Sequence, residues 1–406
     1  MDLMDLTGYR ELWRTPGVIA MLVAALTARL PVTTTIVPLA FLAKDASGNF
    51  GWAGVVAGAY AIGTAVASPL WSRMVDRRDG RWVVIATGTA WSGLMAGVAL
   101  LPDAWFRLLP VAAALTGLFV APVTSAARST WPRLVQGARL RTLYALDATA
   151  TELLFVIGPM LGAIVVSVVS PRAGLLGCAV GAAVTIWWFG LKQQPRAANP
   201  QATVEPRPTV RALLWHRHRL PMLIAFACML MGFASMSIGI VAFADHHGNR
   251  LIAGVLEMLC ALGSLIGGLV SGALPGGKDS YLWRRMLVYT VLITGCVFAT
   301  SSVVALAAMM FAAGLLIAPT TGALYERLGV LTPESARTEI FGWMFSGGMI
   351  GNAIGSAVAG AVVEIFGVRY AWALMAALAL VGTLAVLRVP PHRAVESTVA
   401  SAPVAA

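Results

Sequence analysis

The stretch GLFVAPVTSA, Gly117 to Ala126, returns 197 positions later as GLLIAPTTGA, Gly314 to Ala323. The same offset runs on without a gap, setting Tyr144-Ala145-Leu146 over Phe341-Gly342-Trp343 and GPMLGAIVV from Gly158 over GSAVAGAVV from Gly355. At slightly different offsets, Ala61-Ile62-Gly63-Thr64 pairs with Ala261-Leu262-Gly263-Ser264, and Pro16 with Pro221. One unit has been duplicated over nearly the whole chain.

The composition says what kind of unit. Of 406 residues 58% are apolar and 12% charged, and the mean hydropathy is +0.80, far too greasy for a soluble chain of this length. About 20 apolar residues cross a bilayer as a helix. Twelve such stretches are expected, roughly Gly17 to Leu42, Trp52 to Arg73, Trp82 to Leu101, Leu108 to Trp131, Leu143 to Val169 and Ala173 to Leu191, then Pro221 to Ala244, Leu251 to Leu274, Arg284 to Ser302, Val303 to Tyr325, Ile340 to Phe366 and Tyr370 to Leu387. The expected fold is an all-α membrane protein of twelve transmembrane helices in two pseudo-symmetric six-helix bundles. Residues 1–191 form the first bundle, 192–220 a proline-rich linker, 221–388 the second bundle and 389–406 a tail. Repeats of several apolar spans point to a secondary transporter with its site between the repeats near the bilayer midplane.

The net charge of +11 reflects topology rather than nucleic-acid binding. Arg73, Arg77, Arg78, Arg81, Arg133, Arg139, Arg141, Arg217, Arg219, Arg284 and Arg285 fall on one side, against Lys44, Arg107, Arg172, Arg250 and Arg369 on the other. By the positive-inside rule the linker and both termini are cytoplasmic, in the inner or cytoplasmic membrane of the cell. Cys178, Cys228, Cys260 and Cys296 all fall within spans and read as small hydrophobes. The first span is full length and follows acidic Asp2, Asp5 and Glu11, so it reads as a retained helix and not a cleaved leader. Trp52, Trp82, Trp105, Trp187, Trp188 and Trp372 read as an interfacial belt. A phosphate-binding loop, a Gly-x-Ser-x-Gly elbow and a spaced cysteine-histidine set are all missing from the sequence, and His246-His247 read as solvated loop residues. No enzyme, metal site or cofactor is expected, and the energy should come from an ion gradient.

The loop after the second span reads Ser72-Arg73-Met74-Val75-Asp76-Arg77-Arg78-Asp79-Gly80-Arg81. It resembles the loop between the second and third helices of the major facilitator superfamily, with Ser72 for the leading glycine and one extra residue before Gly80-Arg81. The resemblance extends over the twelve spans, the doubled half and the linker. It implies a conformational latch in which the acid, Asp76, faces the N-terminus of the eleventh helix and Arg77 and Arg81 are its partners around Gly80. The second-half counterpart, Gly272 to Lys278, keeps a glycine and lacks the acid-arginine pair. In the fifth span Gly158-Pro159-Met160-Leu161-Gly162 is similar to the superfamily's antiporter motif, with Leu154 where that motif has its first glycine. That similarity implies proton-driven export. The residues alone also fit a packing kink, since proline bends a helix and glycines admit a neighbour.

Ionisable residues inside spans are expensive and each is a candidate for function. Arg29 lies too deep to snorkel out and must face a wet cavity or a partner, with Thr33 one turn on along the same face. Glu152 shares a face with Pro159 and is expected to carry the coupling proton, competing with substrate. Asp147, close to the cytoplasmic end of its span, is expected to pair with Arg128 or a loop arginine; Glu257 is either a further functional acid or solvated. Pro122 and Pro319 should bend the fourth and tenth helices. Ser235, Met236, Trp343, Phe345, Met349 and Asn352 offer an adaptable wall for greasy ligands, or serve as packing.

The sequence thus points to a monomer in the lipid bilayer working by alternating access, exporting a small organic or amphiphilic compound against protons. Uptake or exchange of a small anionic metabolite on Arg29 is the alternative, and a non-transporting sensor or scaffold a remote one.

Overall fold

Long apolar runs can satisfy their backbone in lipid only by closing hydrogen bonds within each segment, and the chain does so as helices. The computed structural model describes residues 12–48, 50–193, 208–247, 251–273, 282–387 and 389. Among these, twelve helices are long and apolar enough to cross a membrane. We number them α1 (Val18–Thr34, continued by Ile36–Ser47), α2 (Phe50–Arg77), α3 (Gly80–Leu100), α4 (Leu109–Leu118, continued by Val123–Leu134), α5 (Ala138–Val168) and α6 (Pro171–Lys192). The second half holds α7 (Arg219–His246), α8 (Leu251–Ala273), α9 (Leu282–Ala299), α10 (Val303–Gly314, continued by Ile317–Val330), α11 (Arg337–Phe366) and α12 (Val368–Val386). The chain ahead of Leu12, most of the linker (194–207), most of the loop from Gly272 to Lys278 and nearly all of the tail lie outside the described residues.

The repeat is a repeat of packing. In the first half α1 packs on α5 and α6, α2 on α4 and α3 on α6; in the second, α7 packs on α11 and α12, α8 on α10 and α9 on α12. The glycines that recur at the two offsets have a physical role. A Cβ on Gly63 would strike the Ala114 carbonyl oxygen, and one on Gly117 that of Tyr60. In the second half a Cβ on Gly263 would strike the Phe311 carbonyl oxygen, and one on Gly314 that of Cys260. Bare backbone is what lets each helix pair approach in a lipid phase.

The proline breaks fall where expected. α4 is interrupted between Leu118 and Val123, ending on Pro122, and α10 between Gly314 and Ile317, just ahead of Pro319. α1 also breaks, at Thr35, one turn after Pro31, and the hydroxyls of Thr33, Thr34 and Thr35 each donate back to a carbonyl of the preceding turn. α5 crosses α1 at that break: a Cβ on Gly162 would lie 2.7 Å from the Thr34 oxygen and 3.0 Å from Pro38 Cδ. α5 itself stays one helix through Pro159. Trp372 departs from the interfacial belt. It is fully buried, because Gly239 leaves room for its indole against α7.

Contacts between the halves gather at the end of the bundle that carries Arg73, Arg133, Arg141 and Arg337, here called the basic face. α2 packs on α11 and α5 on α8, a pair of contacts related by the repeat. Ser68 donates to the Gly342 carbonyl at 3.1 Å, Ser346 to that of Ala65 at 2.5 Å, and Thr142 to that of Gly272 at 2.9 Å. Arg133 and Glu334 form an ion pair at 2.7 Å, and Thr338 donates to Ser129 at 2.9 Å.

Candidate substrate cavity and buried charge cluster

Above this closed end lies a cavity of about 350 Å³. Ser68 and Ser125 are at its floor, where Ser72 and Ser125 share a hydrogen bond of 2.7 Å. Its walls come from α1, α2, α4 and α5, reaching Leu39 and Ala57 toward the opposite face. The second half contributes Phe345 and Met349 of α11. The walls are predominantly apolar, with Val32, Ile36, Leu154 and Phe155 among them, and Arg29 is the one charged side chain among the described lining residues.

Arg29 is 5% exposed and its partner is Asp147, which is fully buried. Arg29 Nη1 donates to Asp147 Oδ1 at 2.7 Å and to Thr151 Oγ1 at 2.9 Å. Arg128 Nε donates to the other carboxylate oxygen, Oδ2, at 2.9 Å. The guanidinium of Arg128 stacks 3.5 Å above the ring of Tyr325 in α10, a contact between the halves. Tyr144 fixes the backbone behind it by donating to the Arg128 carbonyl at 2.8 Å. Arg29, Asp147 and Arg128 are therefore one buried cluster joining α1, α4 and α5.

The expected site residues fall into two groups. Arg29, Thr33, Pro122, Pro159, Phe345 and Met349 line the cavity. Asp147 pairs with Arg128 as expected and also with Arg29. It sits deeper than one turn, because α5 begins at Ala138 and Arg139 and Arg141 lie in its first turn. Glu152 does not line the cavity and does not meet Arg29. It turns toward the second half, within electrostatic reach of Cys260, Tyr289 and Tyr325, and on its other side it lies within reach of Arg128. The repeat explains this: its counterpart in α11 is Met349, which reaches across into the first half, so Glu152 reaches across into the second.

Of the other expected wall residues, Ser235 is fully buried, donating to the Ala371 carbonyl at 2.8 Å in the α7–α12 contact. Met236 packs on the second-half core and Trp343 on the larger core. Pro319 offers its carbonyl to Arg285 at 3.1 Å, and Asn352 offers its own to Ser356. Glu257 is exposed on α8. Tyr60, Thr64, Thr151 and Phe155 are wall residues that sequence reasoning missed. Tyr60 and Thr64 stand one turn apart beside the repeated Gly63, which could have signalled them.

Asp76 takes the place the loop resemblance implies. Its Oδ1 accepts the Thr338 N–H at 3.2 Å and its Oδ2 the Glu339 N–H at 2.7 Å, capping the first turn of α11, where a negative charge is favourable. The arginines are arranged otherwise than implied. Arg77 is exposed, Arg81 lies over the Trp82 ring at 5.1 Å, and Arg73 makes the ion pair, with Glu339 at 3.7 Å. Gly80 opens α3 with its Cα packed close to Val75.

Two repeated six-helix bundles, with a cavity in the first half edged by α11 of the second, define a polytopic transporter. The chain belongs to the Major Facilitator Superfamily, whose sequence pattern matches residues 17–278 and 279–405. It is 24% identical over 358 residues to the uncharacterized MFS-type transporter YuxJ of Bacillus subtilis, covering 82% of this chain and 88% of that one. To the multi-drug resistance efflux pump PmrA of Streptococcus pneumoniae it is 24% identical over 331 residues, 76% and 79% of the two chains. Among solved structures, a bacterial homologue of the iron transporter ferroportin in an outward-facing state with soaked iron superposes with a TM-score of 0.72 at 15% identity, over 91% of this chain and 98% of that one. The human organic anion transporter MFSD10 does so with 0.70 at 16%, over 92% and 99%. The protein is a membrane transporter and not an enzyme.

Proposed function

We propose that the chain exports a small amphiphilic organic compound across the cytoplasmic membrane in exchange for protons. The carrying observation is the cavity: an apolar chamber in the first half, closed at the basic face and edged by one cation. With the basic face cytoplasmic, as the arginine bias argues, the termini are inside and the chamber belongs to an outward-facing carrier. Asp76 then acts as the latch, holding α2 to α11 in that state. Efflux relatives at low identity support the direction.

Glu152 is the proposed proton carrier. It occupies, against the second half, the position that Met349 occupies in the cavity wall. Glu257 supports the same reading, since its counterpart Ala57 lines the cavity and both acids lie within electrostatic reach of Cys260. Proton and substrate then hold repeat-related places in opposite halves, and the exchange rests on which loaded states can cross rather than on competition for one group. Bundles 1–191 and 221–388 would rock as units about the linker in a single monomer.

The test uses everted membrane vesicles acidified inside by respiration, with a pH-sensitive dye and a panel of amphiphiles. At least one compound should collapse the gradient in wild type and none in Glu152→Gln. If no compound does so in wild type, export by proton exchange is refuted, and uptake or exchange of an anion on Arg29 becomes the account to test.

A further inference from the structure

Among its hydrogen-bonded groups the cluster beside the cavity holds two positive charges and one negative, with Glu152 a more distant charge acting on Arg128. Two guanidiniums share the single carboxylate of Asp147, and all three side chains are more than nine-tenths buried. Asp147 gives one oxygen to each arginine, and Nη1 of Arg29 is taken by Asp147 and Thr151. Nε and Nη2 of Arg29 are buried with no partner, as is Nη2 of Arg128. Buried charged donors without acceptors are costly, and Arg29 is the one of the two arginines that also lines the cavity.

The arrangement of the unpaired Arg29 donors suits one class of acceptor. Nε–H and Nη2–H form one straight edge of the guanidinium fork, the edge that takes a carboxylate or sulfonate through two parallel hydrogen bonds. Arg29 lines the cavity, whereas Arg128 is held behind it against Tyr325. The body of the ligand would lie against Val32, Ile36, Leu154, Phe155, Phe345 and Met349. None of the described lining residues is acidic, and Asp147 is shared between Arg29 and Arg128, so an organic cation would meet Arg29 with no carboxylate of its own on the wall.

We infer that Arg29 seats the head group of an amphiphilic monoanion, a carboxylate or sulfonate on a compact apolar body, and that the cavity discriminates against organic cations. This rests on reading the cavity as the substrate site of the exporter. Arg128 is a positioning residue: it holds one oxygen of Asp147, so the carboxylate cannot swing across to cover the open edge of Arg29.

The experiment is calorimetric titration of the purified full chain in lipid nanodiscs with three probes of one shape: 1-naphthoate, 1-naphthylmethanol and 1-naphthylmethylammonium. Naphthoate should bind about tenfold tighter than the alcohol, the scale of one bidentate charged pair, and the ammonium most weakly. Arg29→Gln should bring naphthoate down to the level of the alcohol, and Arg29→Lys should restore part of the difference. Equal binding of naphthoate and alcohol by wild type overturns the inference whether or not Arg29→Gln folds, as does an anion advantage that survives Arg29→Gln. Ala61→Trp, which fills the cavity, separates the two levels. Alcohol binding abolished by Ala61→Trp with no preference for the anion sinks this inference alone; alcohol binding that persists in Ala61→Trp, or binding of none of the probes, takes the substrate-site reading down with it.

Discussion

Gly63 and Gly117 bring α2 against α4 in the first half, and Gly263 and Gly314 bring α8 against α10 in the second, each with its Cα pressed on a carbonyl of the facing helix. The charged residues beside them are not repeated. By the 197-residue offset Arg128 corresponds to Tyr325, Asp147 to Met344 and Glu152 to Met349. The duplication has kept what the backbones need in order to touch and released the charges packed beside them. Arg128 stacks on its own counterpart Tyr325, so the pseudo-two-fold axis runs between them. What was one position in the ancestral unit is now a cation in one half and a ring that accepts it in the other.

The difference can be broken most forcefully at Asp147. Asp147→Asn leaves two buried arginines uncompensated and should cost about 3–5 kcal/mol of stability, while Met344→Leu at the matching place should cost below about 1.5 kcal/mol; unfolding midpoints in detergent compare them. A similar loss for the two would mean that the cluster is not what sets the halves apart. The shared packing predicts the opposite pattern at the glycines. Gly117→Ala and Gly314→Ala should each cost about 1–3 kcal/mol and resemble one another, and a large loss in one half alone would show that the contacts are not equivalent. The smallest effect belongs to Asp76→Ala. Losing that cap should weaken the closed basic face by about 0.5–2 kcal/mol, read as faster labelling of a Ser68→Cys thiol from that side; unchanged labelling would remove Asp76 from the latch.

Spans, repeat and helix breaks were legible because each is local: apolar length, a fixed offset and prolines at known places. The pairing of Arg29 with Asp147 was not, since it links positions 118 residues apart through the start of α5. That start, with Arg139 and Arg141, looks too basic for a span and still folds as helix. The direction of Glu152 was misread from its register with Pro159. α5 touches both halves, α1 on one side and α8 and α10 on the other, so two residues close in register can face different halves. Arg128 was visible as a partner for Asp147; its stacking on Tyr325 needed the fold.

The most direct test of separate places for substrate and proton compares Ala61→Trp in the cavity wall with Glu152→Gln on the side of α5 turned to the second half, measuring ligand binding to purified protein and gradient collapse in everted vesicles with the same compound. The account predicts that neither variant collapses the gradient, that Glu152→Gln still binds the compound and that Ala61→Trp does not. Loss of binding in Glu152→Gln, or gradient collapse that persists in either variant, would contradict separate places for substrate and proton.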